Sequence, residues 1–299
     1  MIFTGRVVIL STDLAKELEE NGFCLVPKAL DSTVIERLAE LAAKRLAVAE
    51  GEHLSRYAHH GSLLPLTIED HPVPEILTSD VLRGTFAALG FTDPRWISGY
   101  VIAKPPRSPG LWWHQDWWAW GHPRTYVRQP TQIFIMIYLE PTSRRNGCLR
   151  VIPGTHLKRH RLHDVLETPH TVEIEAAAHD SVNHREVDGE IDIEASPGDL
   201  VIGDVRVIHA THSNETDAMR TAIDLLFIPH FGTLPDEFKA HYINQICLPP
   251  AGWWEDPGHP LQGTAVGAML PTYSGPEVGP VEFCRRPRWP AGWQSGLTT

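Results

Sequence analysis

The sequence predicts a mainly β fold, a sandwich or barrel, with helices flanking it on the N-terminal side. Three observations carry this reading. From Trp96 onward, short runs rich in β-branched and aromatic residues recur. Proline, glycine and asparagine separate many of them, as turns separate the strands of an all-β domain. Before Trp96 the apolar residues fall instead at helical spacing.

The elements follow in order. Thr12 to Glu20 reads as a short helix stopped by Asn21-Gly22, because glycine accepts the left-handed conformation that ends helices. Phe23 to Pro27 reads as a short buried strand. Asp31-Ser32-Thr33 opens a longer helix, with Thr33 and Glu36 spaced as a capping box. Its stripe is Val34, Leu38, Leu41, Ala42 and Leu46, and Gly51 ends it. A further helix is expected within Pro74 to Leu89. The β runs are Trp96–Ala103, Leu111–Trp118, Gln132–Leu139, Cys148–Ile152, Val172–Ile174, Leu200–Ile202, Val205–His209 and Ala222–Ile228. Residues 157–196 are polar, rich in histidine and aperiodic, which predicts a lid-like excursion over the barrel mouth. The tail from Pro249 is rich in proline, glycine and tryptophan and has no assignable pattern. The chain is read as one domain over 1–299, with a mainly helical part at 1–95, a β core at 96–230 and an irregular extension at 231–299.

Composition narrows the function. The 299 residues are 42% hydrophobic and 21% charged, neither disordered nor fibrous. No apolar run approaches a membrane span, and Met1 to Leu10 lacks a secretory pattern. A net charge of −11 repels nucleic-acid phosphates, which argues against nucleic acid as a partner. The four cysteines, Cys24, Cys148, Cys247 and Cys284, are widely spaced and form no C-x-x-C pair. They fit neither a zinc site nor a disulfide framework, and a cytoplasmic setting is the simplest reading.

The central motif is His114-Gln115-Asp116. On a strand, His114 and Asp116 share a face, side by side. One imidazole and one carboxylate are two-thirds of the facial triad that holds non-haem iron(II) and leaves positions open for co-substrate and O2. Taken alone, H-x-D is weak evidence and more often a hydrogen-bonded pair at a strand end. The third ligand is expected to be His209, at the end of the apolar run that follows Pro197-Gly198-Asp199. Thr211 shares the face of His209, whereas His212 points away. Arg220 lies eleven residues past His209, and an antiparallel hairpin would bring it beside Thr211. A guanidinium and a hydroxyl there can hold the far carboxylate of a dicarboxylic acid.

These motifs together resemble the phytanoyl-CoA dioxygenase-like branch of the iron(II)/2-oxoglutarate oxygenases. The likeness rests on His114-Gln115-Asp116, on Asn146-Gly147-Cys148-Leu149-Arg150-Val151-Ile152-Pro153-Gly154-Thr155-His156, on Pro197-Gly198-Asp199, and on His209 and Arg220. The run Glu20 to Pro27 and Lys104-Pro105-Pro106 add to it, and it extends from about residue 12 to 230. The resemblance implies a double-stranded β-helix, or jelly-roll barrel. It implies iron(II) on His114, Asp116 and His209, 2-oxoglutarate on Arg220 and Thr211, and a co-substrate contact at Tyr100. His156 would shape a turn. Related halogenases lack the carboxylate, so Asp116 points to oxygenation.

The implied activity is oxidation of a small organic molecule with 2-oxoglutarate and O2, releasing succinate and CO2. Hydroxylation, desaturation, epimerisation and cyclisation all use these ligands, and specialised metabolism is the expected setting. The competing readings are a jelly-roll binding protein that turns nothing over and a metal oxygenase that needs no 2-oxoglutarate. Strand parity would aim Trp112 and Trp118 into the cavity, as substrate contacts or as ordinary barrel packing, with Trp113 and Trp117 on the opposite face, packed in a core. Arg124 to Arg128 is read as a loop bordering the site or as solvated surface. Trp253-Trp254 and Arg285-Arg286 are read as cover for the pocket or as a contact between copies in a homo-oligomer.

Overall fold

The computed structural model describes residues 13–49, 51, 62–166 and 184–289. Helix α1 (Leu14–Asn21) begins where the Asp13 carboxylate accepts the Lys16 N–H at 3.0 Å. It ends at Gly22, whose φ of 83° turns its N–H back to the Leu18 carbonyl. Only glycine fits there, because a Cβ would lie 2.6 Å from Nδ1 of His156. His156 donates to the Glu19 carbonyl at 3.0 Å, so it fastens the end of α1 to the turn at 153–156.

Strand β1 (Phe23–Val26) leads to α2 (Ser32–Ala47). The cap of α2 is Asp31, which accepts from the Val34 N–H at 3.0 Å, and not Thr33 as the spacing predicted. Asp31 holds the extended conformation of a cap, whereas Thr33 is already inside the helix. The helix expected within 74–89 is two helices, α3 (Val73–Leu77) and α4 (Asp80–Ala88). Ser79 between them is extended, and its hydroxyl caps α4 at the Leu82 N–H.

The remaining strands are β2 (Ser62–Pro65), β3 (Arg95–Lys104), β4 (Ile133–Tyr138), β5 (Leu149–Val151), β6 (Ile191–Ile193), β7 (Leu200–Asp204), β8 (His209–Thr211) and β9 (Arg220–Ile228). They form a six-stranded antiparallel sheet, in the order β1-β7-β4-β9-β3-β2, and a three-stranded sheet, β6-β5-β8. Leu149, Val151 and Ile193 of the small sheet share one core with Phe134, Met136, Tyr138, Val201 and Leu226 of the large one. The two sheets therefore pack face to face as a jelly roll.

Period-two alternation decides which side chain faces where. Ile133, Ile135 and Ile137 of β4, with Ile223, Leu225 and Phe227 of β9, pack on Leu38, Leu41, Leu82 and Phe86 of the helices. Their neighbours Phe134, Met136 and Tyr138 face the barrel interior. A sheet covered on both faces explains why β4 is apolar throughout.

Two predicted strands are not regular strands. Leu111–Trp118 makes a single bridge, at His114, and Val205–Ile208 is a turn, leaving only His209–Thr211 as β8. The cause is Asp204. Its carboxylate accepts the Arg206 N–H at 2.9 Å and its carbonyl accepts the Val207 N–H at 2.9 Å, which closes a turn of the kind Asp favours. The expected strand Val172–Ile174 lies outside the described residues. The described flanks of the 157–196 excursion place Leu162, Leu166 and Val187 against Trp113, Ile208 and Ala210. After β9 come α5 (Asp236–Tyr242), α6 (Ala265–Ala268) and irregular chain. Trp253 is buried in the helix-side core and does not cover the barrel interior. No described helix is long and apolar enough to cross a membrane.

Candidate active site

Backbone pairing brings the two histidines together. The N–H of each donates to the carbonyl of the other, His114 to His209 at 2.9 Å and His209 to His114 at 3.0 Å. They are direct cross-strand partners, and their ring centroids are 4.2 Å apart. Asp116 is held two residues on by its N–H to the Val205 carbonyl at 2.9 Å. Nδ1 of His114 bonds the Trp112 carbonyl at 2.9 Å, and Nδ1 of His209 bonds the Val207 carbonyl at 3.0 Å. A carbonyl can only accept, so both Nδ1 atoms carry the proton, and each Nε2 is the side of the ring turned toward Asp116. Nε2 of His114 lies 3.7 Å from Asp116 Oδ1, and Nε2 of His209 lies 3.4 Å from Asp116 Oδ2. One ligand atom from each of the three residues falls within 4.8 Å of the others. Burial disfavours the charged form of His209, but the Asp116 carboxylate outweighs it and raises the imidazole pKa.

These groups open into a cavity of about 520 Å³ between the sheets. Thr211 and Arg220 line it as well, but not as neighbours in a hairpin. Thr211 is on β8 in the small sheet and Arg220 on β9 in the large one, so they face each other across the barrel. Arg220 is buried, and its Nε has no hydrogen-bond partner. Its guanidinium lies 5.4 Å from the ring of Tyr138, whose hydroxyl is also buried and unpartnered. Burial pulls the Arg220 pKa below its usual value. The Thr211 hydroxyl accepts from the Leu111 N–H at 3.1 Å and from Lys104 Nζ at 3.3 Å, so its own proton is available to an acceptor in the cavity. Lys104 is fully buried opposite Arg220 in the β3–β9 register, and burial, with Arg220 beside it, lowers its pKa well below the usual range.

Tyr100 lines the cavity four residues away from Lys104, opposite Asp224. Asp224 was not singled out in the sequence, although its place on the Arg220 face of β9 follows from period-two spacing. Its Oδ1 is buried and unpartnered, and burial, with Asp116 adding, raises its pKa to about 8. Trp118 lines the cavity and donates to Tyr242 at 3.2 Å, which in turn donates to Gln132 at 3.0 Å. Trp112 does not line it. Its indole is fully buried beside the His114 ring, with centroids 6.5 Å apart, and packs around that histidine without reaching the cavity wall. Trp113 and Trp117 pack into cores, on Leu162 and on Phe238. Sequence reasoning also missed Tyr138, His241, Tyr242, Gln245 and Phe283, all of which line the cavity.

The platform under the site is clamped from behind. Gln115 turns away from the cavity and donates to the Arg206 carbonyl, with His163 3.1 Å away. Arg206 is fully buried, paired with Asp204 at 2.6 Å, and donates to the carbonyls of Thr125 and Val127 at 2.7 Å each. The 124–128 loop is thereby tied down. Arg128 pairs with Glu19, and neither Arg124 nor Arg128 lines the cavity. His212 turns away from the cavity, as expected, and pairs with Asp192 at 2.6 Å. With Cys148 they form a second convergent trio, a grouping the cysteine spacing did not predict. Its carboxylate is already taken by His212 and by Arg144. All four cysteines are free and buried.

Residues 18–222 match the family model for phytanoyl-CoA dioxygenase (PhyH). Phytanoyl-CoA dioxygenase 1 of Oryza sativa subsp. japonica is 28% identical over 175 residues, which is 57% of this chain and 57% of that protein. The chain thus aligns with little more than half the length of that relative. EvdO2 from Micromonospora carbonacea var. aurantiaca superposes with a TM-score of 0.52 at 24% identity, over 74% of this chain and 91% of that one. SnoN, a non-heme alpha ketoglutarate dependent epimerase from nogalamycin biosynthesis, superposes with a TM-score of 0.52 at 17% identity, over 72% of this chain and 79% of that one. At these identities the likeness to solved structures is one of fold.

Proposed function

The chain belongs to the phytanoyl-CoA dioxygenase family, and we propose that it is an iron(II)- and 2-oxoglutarate-dependent oxygenase acting on a small organic molecule. The observation that carries this is the meeting of His114, Asp116 and His209 at one end of a cavity that also holds the buried, unpartnered Nε of Arg220.

The donor set fits iron(II). Two neutral imidazoles, each fixed by its Nδ1 proton on a backbone carbonyl, and one carboxylate are the facial arrangement non-haem iron takes. The other half fits a dicarboxylate. Arg220, the Tyr138 hydroxyl and the Thr211 hydroxyl are three donors with spare capacity that line one cavity. A carboxylate there would satisfy two buried polar atoms that otherwise cost stability. When bound, iron(II) with 2-oxoglutarate supplies the oxidative decarboxylation that converts O2 into an oxidant of C–H bonds and yields succinate and CO2.

The protein's own part is positional. The Trp112 and Val207 carbonyls hold the two imidazoles in one tautomer and one orientation. Lys104 and the Leu111 N–H orient the Thr211 hydroxyl toward the co-substrate. Apolar side chains of the large sheet, Ile97, Phe134 and Leu226, keep water from the space where substrate lies. Tyr100 stands closer along β3 to the substrate side than to Arg220, so we assign it to the boundary between co-substrate and substrate. Hydroxylation is the simplest outcome, and desaturation, epimerisation and cyclisation use the same groups. Fold neighbours include an epimerase and a carbocyclase of nogalamycin biosynthesis, which favours a setting in natural product biosynthesis.

Anaerobic addition of iron(II) and 2-oxoglutarate tests the reading. A weak visible charge-transfer band is expected in the folded protein. Its absence refutes the assignment in favour of a binding protein or an oxygenase without 2-oxoglutarate.

A further inference from the structure

The mouth of the cavity carries a second cation that co-substrate binding does not use. Arg285 lines the cavity, and its Nε is buried without a hydrogen-bond partner. Its guanidinium lies 5.5 Å from the ring of Phe283, and among the described residues no carboxylate forms an ion pair with it. Its neighbour Arg286 is exposed, and Arg288 is engaged by Glu282 at 3.2 Å. In a chain of net charge −11, a guanidinium left unpaired beside a cavity is not part of a general basic field. A partly buried guanidinium gains most from an anion that it can bond through two N–H groups.

The surroundings of Arg285 are aromatic. Phe283 lines the same mouth, is 64% exposed and stacks over Trp118 at 6.1 Å and 18°. His241 stacks on Trp118 at 4.0 Å and 27°. With one face on Trp118, the phenyl ring still leaves most of its surface open at the cavity mouth, an apolar surface a ligand can cover. Beyond it the large sheet offers Ile97, Phe134 and Leu226 on the way to the His114–Asp116–His209 group. All of Trp118, His241, Phe283 and Arg285 lie on one route from solvent to the metal side, and three of the four follow the region that matches the family model.

We propose that the substrate is a ring-bearing organic carboxylate, with its acid group bound by Arg285 and its ring against Phe283. This rests on the reading of the cavity as an oxygenase site. One available guanidinium suits a single carboxylate. A coenzyme A thioester carries several phosphates and would need several cations, while among the described residues the lysines and arginines lining the cavity are Arg220 and Arg285. The first of these is committed to the co-substrate.

A matched pair of probes tests it: 2-naphthoate and 2-naphthamide, alike in shape and unlike in charge. Each is titrated by tryptophan fluorescence into anaerobic protein loaded with iron(II) and saturating 2-oxoglutarate, which blocks Arg220. The acid is expected to bind at least about tenfold more tightly than the amide, as for one charge-assisted contact. R285Q should abolish that preference while the charge-transfer band remains, and R286Q should preserve it. Equal affinities, no binding of the acid, or a preference that survives R285Q would overturn the proposal. If the band itself fails to form, the oxygenase reading falls. The same titration in metal-free protein then judges Arg285 separately, against R220A to exclude binding at Arg220.

Discussion

The two ends of the cavity are built from different material. The metal end is made from paired backbone: the His114–His209 bridge, β8 and β9, with Asp204, Arg206 and Gln115 bracing it from behind. The mouth is made from α5 and irregular chain at 283–285, held mainly by ring contacts around Trp118. One backbone bridge and the buried braces behind it hold these side chains in place, whereas a loop-built mouth can change without disturbing them. On the proposed reading, reaction type is set at one end and substrate choice at the other.

The sharpest way to break this division is Asp116→Ala. Loss of a partner behind a metal ligand already costs 10–100-fold in metal affinity or activity, so loss of the ligand itself should cost more than about a hundredfold in turnover. Circular dichroism should show an unchanged fold, and wild-type turnover would remove Asp116 from the ligand set. Next is Asp204→Asn, which leaves the Arg206 guanidinium buried with a neutral partner. Denaturant unfolding should report a loss of about 3–5 kcal/mol, the cost of breaking a buried ion pair. A loss under 1 kcal/mol would mean that the brace is dispensable.

Acid should loosen the same brace. Burial holds the pKa of His156 and of His163 down at about 4, against 6.5 for a free imidazole. Between these values the unfolded chain binds a proton that the folded chain refuses. Stability is therefore complete above about pH 6.5 and falls as pH drops toward 4. Each histidine contributes about 2 kcal/mol of loss between pH 6.5 and 5. Melting temperatures across this range should fall less steeply in His163→Asn, and an unchanged slope would show that His163 titrates normally.

The smallest effects separate the residues around the co-substrate. Arg220→Ala should raise the KM for 2-oxoglutarate by about 10–100-fold, the worth of a hydrogen bond to a charged group. Unchanged turnover would favour an oxygenase that needs no 2-oxoglutarate. Tyr138→Phe removes one neutral donor and should raise that KM by about fivefold, with kcat little changed. If the KM does not move, Tyr138 is merely packing beside Arg220.

The division also explains what the sequence made legible. The apolar runs at 132–139 and 222–228 are strong because each strand is packed on both faces, so β4 and β9 stand close to where those runs put them. His114, Asp116 and His209 were readable as residue types at a spacing. Their meeting was not, because it depends on one bridge between two segments that are mostly irregular. Tyr138 and Asp224 were hidden in apolar runs, where only the strand face separates a cavity group from a core group. His241 and Phe283 have no period to reveal them, and Arg285 was legible only as one of a pair of arginines that could cover the pocket or meet another copy. They reach the cavity through tertiary packing of a segment whose local sequence dictates little.

The most direct test is a crystal structure of the protein grown anaerobically with iron(II) and 2-oxoglutarate. One metal bonded to Nε2 of His114, Nε2 of His209 and the Asp116 carboxylate is predicted, with the far carboxylate of 2-oxoglutarate on Arg220. Metal at Cys148, Asp192 and His212, or 2-oxoglutarate lodged at Arg285 with Arg220 bare, would contradict the account.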